Sequence, residues 1–249
     1  MNVIYGINPV AEALKGSAEG VERVVVSSQR RDKVAEGLVR EAEKRGVPVE
    51  RASPREIERL SGTDRHQGVA AVLRGEFSYS DLDGLISAWK RSIEPAFFLV
   101  LDSIQDPQNL GALVRSASAA GVHGIIVPKD RACAVTPTVV KASAGATAHM
   151  AIARETNLVR AIATLKEAGV WTVAVEADCP ENIYGVDLKT DIAIVIGSEG
   201  KGIRRLVRSE CDLCARIPMT GKLNSLNAAQ AGTIAIFEVR RQRLGGTFL

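Results

Sequence analysis

Three stretches of the chain carry amides, carboxylates and a guanidinium where a plain loop would suffice. The first runs Leu101-Asp102-Ser103-Ile104-Gln105-Asp106-Pro107-Gln108-Asn109-Leu110-Gly111 and leads to Arg115. The second is Ile196-Gly197-Ser198-Glu199-Gly200, and the third is Ile217-Pro218-Met219 followed by Asn224-Ser225-Leu226-Asn227. In open parallel sheets ligands bind beyond the carboxyl ends of strands, so polar groups at such ends are candidates for binding or chemistry. Each also has a plain structural use. Asn109, in the first turn of a helix, can hydrogen-bond backbone. Arg115 follows six positions later, about 600° of helical rotation, so the two share no face and act together only across a ligand or a partner chain. Alone, Arg115 reads as a surface ion-pair residue. Gly197 to Gly200 serves as well as a tight βα turn, because it lacks both the GxGxxG spacing and a Gly-Lys-Ser/Thr ending. Asn224 or Ser225 is an adequate N-cap. Asn227, in the first turn of that helix without being its cap, has less structural excuse.

Other chemistries find little support. The histidines His66, His123 and His149 lie outside the three stretches, so a histidine base is not favoured. Cys211 and Cys214 form a CxxC, but the pair follows a helix and enters an apolar strand, whereas a redox CxxC opens a helix. No further ligands at zinc-site spacing accompany it. The four cysteines, Cys133, Cys179, Cys211 and Cys214, are therefore expected as inert, reduced thiols, and no metal is expected. A GxGxxG after a first strand, with an acidic residue about 20 further on, is missing, which argues against a dinucleotide-dependent oxidoreductase.

The elements that must position these groups alternate. The 249 residues are 46% hydrophobic and 24% charged, as in ordinary globular chains of one or two domains. The longest apolar runs, Ala96 to Leu101 and Ile192 to Ile196, fall far short of the roughly 18 residues that span a bilayer. No signal-peptide pattern opens the sequence, so a cytoplasmic protein is expected. The net charge of +3 does not by itself indicate nucleic acid. Three basic clusters (Arg30, Arg31 and Lys33; Lys201, Arg204, Arg205 and Arg208; Arg240, Arg241 and Arg243) read first as solvated faces.

Residues 1–75 predict a small α/β sandwich, with strands at 23–27, 48–52 and 68–73 and helices from Asp32 and from Ser53-Pro54. Residues 76–95 read as a linker with a short helix at Leu82 to Trp89. Residues 96–249 predict buried strands at 97–101, 124–127, 170–176, 192–196 and 213–217. Helices at 107–120, 136–142, 157–168 and 203–208, and a long last helix to about Arg243, alternate with them. That order gives a mostly parallel, doubly wound sheet, and ligands of such sheets bind beyond the carboxyl ends of the strands.

The wording of the three stretches adds to this. DPQNLGALVRSASAAGVHGIIVP, IVIGSEGKGI and ARIPMTGKLNSLNAAQAGTIAIFE closely resemble the motifs of the SpoU, or TrmH, family of RNA 2′-O-ribose methyltransferases. YGINPVAEAL and HQGVAAVL resemble the N-terminal part of the subgroup that modifies a guanosine of bacterial large-subunit ribosomal RNA. The resemblance implies a SPOUT α/β fold with a trefoil knot at residues 96–249, preceded by an L30e/L7Ae-like RNA-binding domain at 1–75. It implies S-adenosylmethionine as methyl donor, held at Gly197, Gly200, Ile217, Met219 and Leu226. It matches Arg115 to the family's catalytic arginine, as base or as electrostatic stabiliser, with Asn109, Glu199, Ser225 and Asn227 around it. The Glu199 carboxylate would pair with Arg115 or hold a ribose hydroxyl. It further implies a homodimer through the knot domains and ribosomal RNA as substrate. A tRNA enzyme of the same family and a non-catalytic RNA binder are the competing readings.

Overall fold

The computed structural model describes residues 2–17, 20–75, 77–221 and 225–245; Asn224, one of the expected helix caps, lies outside them. The chain forms two compact units. One comprises the residues up to Ser78 together with Ala134–His149, the other Tyr79–Cys133 and the residues from Met150 on.

The first unit contains β1 (Asn2–Tyr5), α1 (Ile7–Ser17), β2 (Val21–Ser27), α2 (Lys33–Lys44), β3 (Val49–Ala52), α3 (Pro54–Ser61) and β4 (Val69–Leu73). The strand order is β1-β4-β2-β3, with β2 and β3 parallel and the other pairs antiparallel. Side chains alternate across the sheet. Val24 and Val26 join Val10, Leu14, Leu38 and Ala42 on one face, and Val25 joins Ile57 on the other. Asp32 caps α2 by accepting from the Val34 and Ala35 amides, and Ser53 with Glu56 closes a capping box on α3. The β1–α1 pair went unread in the sequence.

The second unit begins with α4 (Leu82–Lys90), β5 (Phe97–Asp102), α5 (Pro107–Ala119) and β6 (Gly124–Pro128). After α6 (Pro137–Ala142) it resumes with β7 (Ile152–Glu155), α7 (Leu158–Glu167), β8 (Trp171–Val175) and β9 (Glu181–Asn182). It closes with β10 (Ile192–Gly197), α8 (Arg205–Glu210), β11 (Leu213–Arg216) and α9 (Ala228–Arg243). Seven strands form one sheet in the order β7-β6-β5-β10-β8-β11-β9, every neighbouring pair parallel. Every residue of β5 and β10 is buried, as a sheet covered on both faces requires. From β5 the chain winds outward through β6 to β7 and then builds the other half, so the winding reverses between β5 and β10. Open α/β sheets bind ligands at such a reversal.

Two segments differ from the sequence reading. Residues 76–95, expected as a linker, contain α4, whose Leu82, Leu85, Ile86 and Trp89 pack with Phe98, Val100 and Leu165 in the second unit's core. Their spacing is one apolar helix stripe, which a linker would not bury. Residues 134–149, expected inside the 96–249 domain, group with the first unit, where Val140 joins the cluster of Ile4, Val10 and Leu14.

The cysteine expectation also divides. Cys179 and Cys214 are joined as a disulfide with Cα atoms 5.3 Å apart, a separation that suits the bond. They are therefore not free thiols. Cys214 points to Cys179, across 35 residues of sequence, and not to its CxxC neighbour. Cys211 remains a thiol, and burial pushes it up to about 12.

Candidate active site

The carboxyl ends of the neighbouring strands β10, β8 and β11 face one opening. Beyond them opens a cavity of about 910 Å³, lined by residues that include Gly197, Glu199, Ile217, Met219, Leu226 and Asn227. Its size falls within the range of small-molecule sites.

The loop after β10 folds back on itself. Ser198 and Gly202 exchange backbone hydrogen bonds of 2.9 and 3.1 Å. A Cβ on Gly197 would collide with the backbone of Gly202 and Ile203, so the close approach of the two strands of this loop requires glycine there. Gly200 faces open space and is needed for its φ of +76°. Both glycines line the cavity, but the demand on Gly197 comes from the chain's own backbone.

The hairpin delivers Glu199 to two amides. Asn109, buried in the first turn of α5, donates from Nδ2 to Glu199 Oε1 at 3.0 Å. Asn227 Nδ2 donates to Asn109 Oδ1 at 2.9 Å and also to Glu199 Oε1. Asn227 is at the same time the N-cap of α9, its Oδ1 accepting from the Ala229 and Gln230 amides at 2.8 and 3.2 Å. This corrects the placement of the cap at Asn224 or Ser225. An Asn side chain has both an acceptor and two donors, so one residue can start the helix and hold Glu199.

Not every expected residue joins the cluster. Ser225 lines the cavity but makes no hydrogen bond among the described residues. Arg115 is exposed on α5 and has no partner among the described residues. The pairing of Glu199 with Arg115 is therefore not made; Glu199 is engaged by the amides instead.

Two further carboxylates were missed. Asp102, at the end of β5 and fully buried, accepts from the Arg204 amide at 2.8 Å and from Arg204 Nε at 2.7 Å. Glu176, just past β8, accepts from the Ile203 amide at 2.6 Å through Oε1 and pairs with Arg208 at 3.0 Å through Oε2. The rule that directed attention to three strand ends applies equally to Val175-Glu176, the end of a fourth.

The basic clusters are partly spoken for. Arg204 and Arg208 are held by these carboxylates, and Arg30 pairs with Asp32 at 2.5 Å. Arg243 inserts under the sheet, donating to the Pro95, Ala96 and Thr190 carbonyls and stacking on Phe97. Burial lowers its pKa. Half-buried, it braces the start of β5 as well as facing solvent.

The cavity thus lies beyond the ends of β8, β10 and β11, and Glu199 and Asn227, which line it, are joined by Asn109 of α5. Residues 96–237 match the SpoU rRNA Methylase family, and residues 3–77 match the family described as RNA 2′-O ribose methyltransferase substrate binding. The chain belongs to the SpoU rRNA methylase family. Among its relatives, the 23S rRNA (guanosine-2′-O-)-methyltransferase RlmB of Coxiella burnetii is 42% identical over 240 residues, covering 96% of this chain and 95% of that one. The protein of the same name from Xanthomonas campestris pv. campestris is 37% identical, covering 97% of each. The SpoU methyltransferase AviRb of Streptomyces viridochromogenes, solved with its cofactor AdoMet, superposes with a TM-score of 0.80 at 25% identity, covering 98% of this chain and 91% of AviRb.

No helix among the described residues is long and apolar enough to cross a membrane. Among the described residues no group of three or more His, Cys, Asp or Glu is placed to hold a metal ion.

Proposed function

We propose that this protein transfers the methyl group of S-adenosylmethionine to the 2′-hydroxyl of a guanosine ribose in large-subunit ribosomal RNA, acting in the cytoplasm as a homodimer through its second unit. The observation that carries the reading is the convergence of Asn109 on Glu199 and Asn227, the latter two lining the cavity. The names of the relatives support it. The reading includes the family's trefoil threading, supported by the match of residues 96–237 to that family.

The cavity fits the methyl donor. Ile217, Met219 and Leu226 supply apolar wall for an adenosine, and the backbone of Gly197 to Gly200 supplies polar edge. S-adenosylmethionine, when bound, supplies a methyl group carried on a positively charged sulfur. The chain's own residues must then present the hydroxyl and manage its proton. Glu199 Oε1 is engaged by two amides, which leaves Oε2 open to accept from a ribose hydroxyl. Asn109 and Asn227 fix that carboxylate. Arg115 serves the substrate side. A guanidinium stays charged in proteins, grips phosphate and stabilises a forming alkoxide. It stands about 9 Å of helical rise beyond Asn109 and about 240° around the helix, so it meets the ribose only across bound RNA or a partner protomer. The N-terminal unit contributes RNA contacts, a role supported by the match of residues 3–77.

Incubation with radiolabelled S-adenosylmethionine and either 23S rRNA or tRNA tests the reading. It expects label on 2′-O-methylguanosine from 23S rRNA. Label on tRNA alone, or on a base, overturns it.

A further inference from the structure

Two neighbouring backbone amides, those of Ile203 and Arg204, are each held by a carboxylate from a different strand end. Asp102 of β5 takes the Arg204 amide, and Glu176, past β8, takes the Ile203 amide. These strands flank β10 on either side, and β10 runs into the loop that the two carboxylates grip from its far end. Asp102 is the more secure of the two, since it also receives Arg204 Nε and Ser103 Oγ. Glu176 is the sharper device. Its Oε1 occupies the space beside Gly202, where a Cβ would collide with it, and Gly202 turns there at a φ of +64°. Its Oε2 is anchored by Arg208, which also holds Asp178 at 2.8 Å.

We propose that Glu176 is a positioning residue for the methyl donor: by holding the Ile203 amide it sets the closed form of the Gly197–Gly202 hairpin, and so both the backbone that faces the donor and the reach of Glu199. The proposal rests on the reading that this cavity takes S-adenosylmethionine. Glu176 acts through the loop. An open hairpin would take Glu199 away from Asn109 and Asn227 and would leave the Ile203 amide without its acceptor. The amide needs only an acceptor oxygen, so glutamine preserves the hold while removing the charge that faces Arg208.

Calorimetric titration of S-adenosylhomocysteine into the whole protein tests this, alongside steady-state kinetics on RNA. Glu176→Ala is expected to weaken binding about tenfold or more and to raise KM for S-adenosylmethionine, while Glu176→Gln stays within about threefold of the natural protein. A role in folding alone would lower the melting temperature of Glu176→Ala and leave its affinity unchanged; that result overturns the proposal. A Glu176→Gln variant as weak as Glu176→Ala also overturns it, because the ion pair with Arg208 would then be the operative contact. If the natural protein itself fails to bind S-adenosylhomocysteine, the cavity reading falls first, and the Glu176 proposal falls with it.

Discussion

Asn227 does two jobs with opposite ends of one amide, and substitutions can separate them. Alanine removes both. Loss of the α9 cap costs about 1 kcal/mol. Loss of the bond to the Glu199 carboxylate costs about 1.5 kcal/mol, the low end for charged partners, because the pair is solvent-accessible. The sum of about 2–3 kcal/mol corresponds to a fall of about 5–10 °C in melting temperature for a chain of this size. Aspartate removes only one job. It caps as well as asparagine and suits the positive end of the helix. It cannot donate to Glu199 or Asn109, and it sets a second carboxylate beside Glu199, worth about 1 kcal/mol of repulsion at 4 Å in water. With its cap intact but the bond lost and the repulsion added, about 2 kcal/mol net of the helix-dipole gain, Asn227→Asp should melt about 4–8 °C below the natural protein and lose about 100-fold or more in methyl transfer, the scale seen when a preorganised donor is removed from a reacting centre. Differential scanning fluorimetry and a filter-binding methyl-transfer assay read the two effects. An Asn227→Asp protein that transfers methyl groups within about tenfold of the natural rate would refute the assignment of the cluster to catalysis.

Other outcomes follow from the same structure. Arg115→Ala should abolish transfer while leaving S-adenosylhomocysteine affinity intact, and Arg115→Lys should fail as well, since a point charge does not replace a planar fork; kinetics with calorimetry checks both. Reduction of Cys179–Cys214, or Cys179→Ser, should lower stability to urea by about 4 kcal/mol, from the loop of 35 residues that the bond closes; an unchanged unfolding midpoint counts against it. His123 accepts from the Phe97 amide through Nδ1 at 3.1 Å, and burial lowers its pKa, so the folded state favours the neutral ring. Its contribution to stability is present above the unfolded value of about 6.5 and is lost as pH falls from there toward the folded value. The loss should be smaller in His123→Asn, whose carbonyl can accept the same bond without titrating.

Much of this was written locally. The apolar runs at 97–101 and 192–196 became the two buried central strands, and Asp32, Ser53-Pro54 and Asp106-Pro107 start helices as their types require. What escaped was decided by distant partners. β7 is a four-residue edge strand with Arg154 and Glu155 in it, too short and polar to register alone. The apolar stripe of α4 was visible, but only its burial against Phe98 and Leu165 removes the linker. The cap at Asn227 competes with equally good caps just before it, and Glu199 and Asn109 select it. Glu176 resembled any acidic residue after a strand until the loop brought the Ile203 amide to it. The positions of Asn109, Glu199 and Asn227 were legible as a set only because their motifs resemble a known family. Spacing along the chain says nothing of contacts across 90 and 118 residues.

The most direct test of the central claim is a map of ribose methylation in total RNA from cells with and without the gene. The account predicts that a guanosine of large-subunit ribosomal RNA loses its 2′-O-methyl group on deletion and regains it with the natural gene but not with Arg115→Ala. Unchanged methylation throughout that RNA, with a modification lost from tRNA instead, would contradict it.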